Sequence, residues 1–260
     1  MEIEYQDIDV HYEDRVAYII LNRPEKRNAL SLTMINEIES AIKLCNEKNG
    51  IKLIVIKSNI IDPPVFSAGI DLMDLASQVQ ARFESGLQEL IDTMQDRFET
   101  IRSCKLPTIA VIDGLCVGAG LELAIACDFR LTTSRSELAL NEVQFGLVPD
   151  LGGTTHLIRL IGLQAAKRII MLGQKLSAED AYRMGLIDWI SDSLSSTLQE
   201  IINQVSINSE NAVIQAKRIL NSSLDYDISE SMKRDGIAQK KLLESGEPQK
   251  RLEQFLKHNK

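Results

Sequence analysis

The sequence has 260 residues, 44% of them hydrophobic and 25% charged, so it is long enough to bury a substantial core and has the balance of an ordinary globular protein. Its formal net charge of -8 argues against a general nucleic-acid binder, because neutralising phosphates requires a clustered positive surface. No apolar run approaches the roughly 20 residues that a membrane-spanning helix needs, so no transmembrane helix is predicted.

The first residues have neither the basic-then-apolar order of a secretion signal nor the arginine-rich character of a transit peptide, and we expect a cytoplasmic protein. The four cysteines form no C-x-x-C pair and each lies in an apolar stretch, which favours buried, reduced thiols. The three histidines are far apart in the sequence, so no metal site is predicted.

Segments typical of strands and helices alternate in the first half of the chain. Residues 3–11 and 16–21 are rich in β-forming residues and flank a polar turn, which predicts a hairpin. Ser31 precedes apolar residues at helical spacing and is the predicted N-cap of a helix. Further strands are predicted at 51–58, 108–112 and 129–133, and a helix at 120–127. This recurrence predicts a layered α/β core of repeating units.

Beyond Gly152 the predicted elements are mostly helices, with no low-complexity linker between the halves. Ser177 is the predicted N-cap of one of them, with acids in its first turn. The other helices are predicted at 152–161, 163–172, 195–206, 209–223, 228–244 and 247–257. Residues 249–260 are charged and amphipathic, as in a helix that docks on the core or on a neighbouring subunit.

A glycine-rich turn at 117–124 (VGAGLELA) follows a strand and opens a helix. It fails the dinucleotide-binding fingerprint because Leu123 occupies the place of the third glycine. Small residues at a helix N-terminus do present unpaired N–H groups to an anionic oxygen. Residues 67–71 form a second such bend, and two donors from separate loops are what an oxyanion hole requires. Tight packing would explain either turn equally well.

Three acids are candidates for proton transfer. Glu122 and Glu142 lie in apolar surroundings, where a carboxyl group tends to have a raised pKa and to exchange a proton near neutrality. Alternatively, Glu122 complements the helix dipole and Glu142 is a solvated strand end. Asp150 follows Pro149 and precedes L-G-G-T, which on its own favours a helix N-cap.

Four ordered segments carry a resemblance to a known family: NRPEKRNALS at 22–31, FSAGIDL at 66–72, KLPTIAVIDGLCVGAGLELAIACD at 105–128 and NEVQFGLVPDLGGT at 141–154. In order and spacing they resemble the crotonase (enoyl-CoA hydratase/isomerase) family over nearly the whole chain. The resemblance implies an α/β fold, a spiral of repeated ββα units over residues 1–200 that holds the active site. A C-terminal helical region, 201–260, would form trimers, often paired as hexamers.

The resemblance assigns the oxyanion-hole donors to the backbone N–H groups of Ile70 and Ala119. Family members often have glycine at the second place, but alanine keeps the role because the donor is backbone. The contacts to coenzyme A correspond to Lys26, Ala29, Ala68, Gly69, Asp71 and Leu72. Lys26 and Arg27 are the nearest basic residues for the phosphates, although Arg27 is equally well explained as solvated surface. Coenzyme A is then part of the substrate, and no separate cofactor or metal is expected.

The resemblance also divides the acids between two reactions. Glu122 and Glu142 correspond to the two glutamates with which hydratases add water across a 2,3 double bond. Residues 66–77 and Asp150 instead resemble the dienoyl-CoA isomerase branch, where hydratases usually have glycine in place of the aspartate. There Asp150 would remove the α-proton and Glu142 would reprotonate the far end of the diene. Glu122 departs from this branch, which usually has aspartate, and the longer side chain would alter which transfer is efficient.

The predicted function is therefore isomerisation of a 3,5-dienoyl-CoA to a 2,4-dienoyl-CoA, or a related enoyl-CoA shift, in acyl degradation. Enoyl-CoA hydratase is the first alternative and a non-catalytic acyl-CoA- or RNA-binding homologue the second. The expected partners are an acyl-CoA thioester and further copies of the chain in a homotrimer or homohexamer, with no nucleic acid and no membrane. Acyl-chain length depends on how residues 78–100 pack and is not predicted.

Overall fold

The computed structural model describes residues 4–258 and contains two compact units, one up to Val205 and one from Ser206. The predicted functional division at residue 200 stays a prediction. No helix within the described range is long and apolar enough to cross a membrane.

The strands of the described residues are β1 (Ile8–Glu13), β2 (Val16–Leu21), β3 (Leu53–Ser58), β4 (Val65–Ser67), β5 (Thr108–Ile112), β6 (Leu115–Val117), β7 (Phe129–Thr132), β8 (Glu137–Ala139), β9 (Leu176–Ser177) and β10 (Trp189–Ile190). They form a larger sheet in the order β1-β2-β3-β5-β7-β10 and a smaller sheet in the order β4-β6-β8-β9. The predicted hairpin is confirmed as β1 and β2, which pair antiparallel across Asp14 and Arg15, both at positive φ. The predicted strand start at residue 3 lies outside the described residues.

The helices are α1 (Leu32–Glu47), α2 (Leu72–Arg82), α3 (Leu87–Arg102), α4 (Ala119–Ala126), α5 (Gly153–Leu172), α6 (Ala178–Arg183), α7 (Leu194–Ile207), α8 (Glu210–Ser222), α9 (Ile228–Glu244) and α10 (Glu247–His258). Ser31 is the N-cap of α1, as predicted, and its side chain accepts a hydrogen bond from the Met34 N–H. Gly162, with a φ of 78°, interrupts α5 where the two predicted helices 152–161 and 163–172 meet.

A unit of two strands and a helix repeats along the first part of the chain. Each unit places one strand in the larger sheet, the next strand in the smaller sheet, and then a helix: β3-β4-α2, β5-β6-α4 and β7-β8-α5. The paired strands are parallel within each sheet, so the helices begin at corresponding edges. The predicted repetition of ββα units is confirmed.

Apolar side chains cover one face of the larger sheet. Alternate residues of its strands, including Val55 of β3 and Ile109 of β5, pack against Leu198 and Ile201 of α7. All four cysteines are buried and reduced, as predicted. This core fixes the larger sheet, whose strands β3 and β5 are followed in the chain by β4 and β6 of the smaller sheet.

The unit from Ser206 onward is helical, and α9 packs against both α8 and α10. The Asn211 side chain donates to Glu247, and the Arg251 guanidinium donates to the Ile207 carbonyl. Many large apolar side chains of this unit are exposed in the single chain: Leu220, Leu224, Tyr226, Ile228, Met232, Ile237, Leu243, Leu252, Phe255 and Leu256. The helix predicted at 249–260 is present as α10, while residues 259–260 lie outside the described range.

Candidate active site

Two loops leave neighbouring strands of the smaller sheet at one edge. β4 and β6 run parallel, with Ser67 opposite Cys116, so the residues that follow them lie side by side. Gly69 has a φ of 99°, and a Cβ built on Gly118 would lie only 3.6 Å from the Gly69 Cα atom. We call residues 66–71 and 117–120 the donor edge. The two bends identified in the sequence are therefore adjacent in the fold.

Gly120 permits the close approach of α4 to β4. A Cβ at this position would lie 2.5 Å from the Ser67 Cβ atom and 2.6 Å from its Oγ atom. Ser67 is fully buried and its hydroxyl donates to the Asn28 carbonyl, so it has little freedom to move away. Gly120 is thus needed for close packing, which is one of the two explanations that the sequence allowed for this turn.

The same edge presents two unpaired backbone donors. In the parallel bridge between Leu30 and Ile70, the N–H of Leu30 donates to Gly69 and the N–H of Asp71 donates to Leu30, which leaves the Ile70 N–H outside the bridge. Ala119 is the first residue of α4, where an N–H has no intrahelical acceptor. Among residues 4–258, neither N–H has a protein acceptor. Two such donors on adjoining loops suit an oxygen that gains negative charge.

Glu122 is almost completely buried on α4, with 3% of its surface exposed. Its Oε1 atom accepts hydrogen bonds from the N–H groups of Leu151, at 2.9 Å, and Gly153, at 2.8 Å. Burial first, and then the nearby charge of Glu142, raises the pKa of Glu122 to about 8. Glu122 therefore holds the start of α5 and carries a proton near neutral pH, which goes beyond complementing its own helix dipole.

Glu142 begins a short 3-10 helix, Glu142–Phe145, just after β8. Both carboxyl oxygens are buried and have no hydrogen-bond partner among the described residues, so the interpretation as a solvated strand end is wrong. Its Oε1 atom would lie 3.4 Å from a Cβ built on Gly118, which places it beside the donor edge. Burial, and then the charge of Asp150, raises the pKa of this carboxyl group. An unpaired acid in this position is suited to hold a water molecule or a substrate proton.

Asp150 lies in the loop between this 3-10 helix and α5, and burial raises the pKa of its carboxyl group. The N-cap of α5 is Gly152, at a φ of 108°, and this residue has no side chain with which to cap the helix. The interpretation of Asp150 as N-cap is therefore wrong, and the N–H of Gly153, the first residue of α5, donates to Glu122 instead. The charge of Asp150 raises the pKa of both glutamates, so the three acids share one region, which we call the carboxylate cluster.

The residues predicted to contact coenzyme A lie on two adjoining segments. Lys26 and Ala29 belong to the turn after β2, and Ala68, Gly69, Asp71 and Leu72 belong to the segment that it contacts through the Leu30–Ile70 bridge. Lys26 is exposed and Leu72 is 47% exposed, whereas the Asp71 carboxylate is engaged by Arg23 and by the first N–H groups of α2. Their contact with coenzyme A stays a prediction. No group of three or more metal-ligating side chains is assembled in the described part of the chain.

Three residues that support the site have no role in the sequence interpretation. Arg23 bonds the Ala29 carbonyl and pairs with Asp71, and Asn28 is fully buried in the turn between them. Gln95 on α3 donates to the backbone carbonyl of Asp150 at 2.8 Å. Arg23 and Asn28 lie within a segment that carries the resemblance, but only the structure shows which of its side chains hold the loop.

Residues 11–260 match the family model for enoyl-CoA hydratase/isomerase. An enoyl-CoA isomerase/hydratase from Mycosarcoma maydis is 30% identical over 256 residues, covering 94% of this chain and 91% of that protein. The mitochondrial Delta(3,5)-Delta(2,4)-dienoyl-CoA isomerase of Mus musculus is 30% identical over 240 residues, covering 88% of this chain and 72% of that protein.

The fold agrees with these relationships. The crystal structure of an enoyl-CoA hydratase from Bacillus anthracis superposes with a TM-score of 0.89 at 28% identity, covering 97% of each chain. The predicted crotonase fold is thereby confirmed, together with its helical C-terminal region. With the family model, the relatives and the fold in agreement over almost the whole length, the chain belongs to the enoyl-CoA hydratase/isomerase family.

Proposed function

We propose that this protein isomerises a double bond of an acyl-CoA thioester, converting a 3,5-dienoyl-CoA to the conjugated 2,4-dienoyl-CoA or carrying out a related enoyl-CoA shift in acyl degradation. The observation that carries the proposal is the presence of Asp150 in one cluster with Glu122 and Glu142, beside two unpaired N–H donors. A hydratase needs only the two glutamates. A third acid supplies a separate base for the α-carbon.

In the proposed reaction the thioester oxygen accepts hydrogen bonds from the N–H groups of Ile70 and Ala119. The Asp150 carboxylate takes a proton from C2, and the electron pair of that C–H bond moves toward the oxygen to give a trienolate. The protonated Glu142 then donates its proton to C6 as the electron pair returns through the diene. One proton leaves the substrate and one enters it, and transfer from Asp150 back to Glu142 through solvent restores the enzyme.

The electrostatics of the carboxylate cluster support this division of roles. Burial and the charge of Asp150 raise the pKa of Glu142, which favours the protonated form that the reaction requires of an acid. Glu122, with a pKa of about 8, is largely neutral near pH 7 and holds the loop of Asp150 through Leu151 and Gly153. The raised pKa values of both glutamates favour protons on the glutamates and the negative charge on Asp150, the proposed base.

Proton transfer between carbon atoms needs no redox partner, so we propose that coenzyme A enters only as part of the substrate and that no further cofactor takes part. Its nucleotide and pantetheine would lie along the turn with Lys26 and Ala29 and along the segment from Ala68 to Leu72. The exposed apolar side chains of the helices from α8 to α10 support assembly into a homotrimer or homohexamer. Light scattering of the purified protein should give three or six times the mass of the chain.

Hydration of an enoyl-CoA is the second candidate function. It is favoured by the Glu122 and Glu142 pair, whose carboxyl groups are close enough for the charge of Glu142 to raise the pKa of Glu122. The two unpaired oxygens of Glu142 would position a water molecule for addition to C3. Both reactions use the same donors for the thioester oxygen.

A thioester panel separates the two reactions. A 3,5-dienoyl-CoA should gain the ultraviolet absorbance of a conjugated 2,4-diene with no change in mass, whereas hydration of crotonyl-CoA adds the mass of one water. Hydration without isomerisation would contradict the proposal. If folded protein turned over no thioester and bound RNA in a salt-sensitive complex, the non-catalytic alternative would replace both enzymatic candidates.

A further inference from the structure

The donor edge is held by the turn that follows β2. Four hydrogen bonds connect the two segments almost residue by residue: Ser67 Oγ to the Asn28 carbonyl at 2.7 Å, Ala68 N to the Arg27 carbonyl at 3.0 Å, Leu30 N to the Gly69 carbonyl at 2.7 Å and Asp71 N to the Leu30 carbonyl at 2.9 Å. The backbone on both sides of Ile70 is thereby fixed. Its own N–H is left to point away from the turn.

The turn has an unusual backbone for residues other than glycine. Arg27 and Asn28 are consecutive and both have positive φ, 53° and 51°. Such conformations persist only where the surroundings impose them. The fully buried Asn28 side chain accepts from the Arg23 N–H at 2.8 Å and donates to Ser58 Oγ at 2.8 Å and to the Phe66 carbonyl at 3.2 Å.

One guanidinium nitrogen joins the two sides of this arrangement. Arg23 Nη1 donates to the Ala29 carbonyl at 2.8 Å and lies 2.8 Å from Asp71 Oδ2. The Arg23 side chain is 16% exposed and that of Asp71 is 9% exposed, so the pair is largely shielded from solvent. The other Asp71 oxygen accepts from the N–H groups of Met73 and Asp74 at the start of α2. Ala29 and Asp71 immediately flank the Leu30–Ile70 bridge.

We infer that Arg23 is a positioning residue for the oxyanion donor, acting through Asp71 and the Ala29 carbonyl to hold the Ile70 N–H at a fixed distance from the thioester oxygen. This inference rests on the proposed function, in which that N–H binds the substrate. A shielded ion pair with an additional carbonyl contact resists displacement better than a solvated surface pair does. Catalysis by such donors depends on their fixed position, because transition-state charge is stabilised only by groups already in place.

The test uses a spectroscopic reading that a general loss of stability would not move. An aryl-conjugated enoyl-CoA that cannot isomerise is bound to the protein, and the thioester carbonyl stretch and the ultraviolet maximum are measured. In the wild type both should shift to lower energy, because two N–H donors polarise the carbonyl. Arg23→Gln and Asp71→Asn should each reduce the shift by about half and lower kcat about 10-fold to 100-fold, while KM changes less than about 3-fold.

Controls distinguish positioning from stability. Arg23→Lys keeps a charged donor and should restore part of the carbonyl shift. Arg135 and Asp113 form another ion pair, 2.6 Å apart, outside the donor edge, and Arg135→Gln should leave the shift and kcat unchanged. Asp71→Asn retains an oxygen to cap α2, so this variant decides the question if Arg23→Gln does not fold.

The outcomes separate the two levels of the proposal. If the wild type binds the thioester without any carbonyl shift, the donor edge does not bind the thioester oxygen as proposed. The inference about Arg23 is then wrong as well. If the wild type shows the shift and the folded Arg23 and Asp71 variants retain it in full, the positioning role is overturned while the proposed function stands. A shift that decreases in both variants, and recovers with lysine, supports the inference.

Discussion

At the donor edge, residues 66–71 and 117–120, hydrogen bonds to the turn after β2 fix the backbone, and Gly120 allows α4 to lie directly against Ser67. The carboxylate cluster of Glu122, Glu142 and Asp150 has the opposite character. Its acids lie near one another, loss of hydration raises the pKa of each, and both Glu142 oxygens lack a partner among the described residues. The hydrogen bonds and packing of the donor edge favour the folded state, whereas the loss of hydration of the acids in the carboxylate cluster opposes it.

This difference suits the proposal that one scaffold can serve either of two reactions. In the proposed mechanism the donor edge performs a step common to both, stabilisation of an enolate oxygen, and its geometry follows from packing. In the same proposal the carboxylate cluster sets where protons are removed and delivered, which needs groups whose protonation states are unequal. Relatives of this chain bear both isomerase and hydratase names, as expected if they share the edge and differ in the acids.

The largest expected effect comes from removing the base that would define isomerisation. Asp150→Asn keeps the size of the side chain but cannot accept the α-proton, and we expect kcat for diene isomerisation to fall by about 10²-fold to 10⁴-fold. The initial rate of diene absorbance measures this loss. The carbonyl shift of a bound thioester should stay at the wild-type value because the donor edge is unchanged. Isomerisation at the wild-type rate in this variant would remove Asp150 from the mechanism.

A smaller effect is expected from disturbing the packing of the donor edge. Gly120→Ala places a Cβ 2.5 Å from the Ser67 Cβ atom, which forces α4 and β4 apart. We expect the free energy of unfolding to fall by about 3 kcal/mol, as for an overpacked core site, and kcat for any thioester to fall about 100-fold. Urea unfolding and steady-state kinetics measure the two changes.

Gly236→Ala is the matched control for this substitution. Gly236 lies within α9, and nothing lies within 4 Å of a Cβ built there. Alanine should therefore raise the free energy of unfolding by up to about 1 kcal/mol through its better helix propensity. If the two alanine substitutions had equal effects on stability and activity, close packing at the donor edge would not be the cause.

The raised pKa of Glu122 predicts that Glu122→Gln changes the free energy of unfolding in a pH-dependent way. Glutamine keeps the acceptor oxygen for Leu151 and Gly153 but cannot ionise. In the wild type the pKa rises from 4.5 unfolded to about 8 folded, so the folded state binds more protons in this window and stability falls as pH rises through it. Between pH 4.5 and pH 6 the free energy of unfolding of the wild type should fall by about 2 kcal/mol from this group, and that of Glu122→Gln should not.

Urea unfolding of both proteins at pH 4.5 and pH 6 measures this difference. The variant should be about as stable as the wild type at the lower pH and more stable at the higher pH. The sign is the decisive feature, because a salt-bridged carboxylate would give stability that increases with pH. A constant difference between the two proteins at all pH values would contradict the raised pKa.

Local patterns predicted much of the fold. The helix α1 follows Ser31, whose hydroxyl caps it, and the apolar sequence LELAIAC correctly placed Glu122 in a buried helix. The repeat of strand, strand and helix likewise follows from short segments whose hydrophobic periodicity is set within a few residues. These features depend on contacts between near neighbours in the chain.

The features that the sequence did not predict arise from long-range contacts. The Pro149-Asp150 pattern is typical of an N-cap, but α5 begins after Gly152 and its first N–H, that of Gly153, donates to Glu122, 31 residues earlier in the chain. The pairing of Arg23 with Asp71 joins two segments that only the fold brings together. No local pattern encodes such partners, because the same side chains on the surface would be solvated.

The smallest expected effect concerns the bond through which α3 contacts the Asp150 loop. Gln95 Nε2 donates to the Asp150 carbonyl at 2.8 Å. Gln95→Ala should raise the activation free energy of isomerisation by up to about 1 kcal/mol, which lowers kcat by up to about 5-fold. The control is Gln88→Ala on the same helix, where the lost bond goes to Asp92, another α3 side chain. Because the bond supports Asp150 and not the donor edge, the carbonyl shift of a bound thioester should persist in both variants. An equal loss of kcat in both would show that α3 acts only through its own stability, whereas a loss confined to Gln95→Ala would tie the carboxylate cluster to the helix beside it.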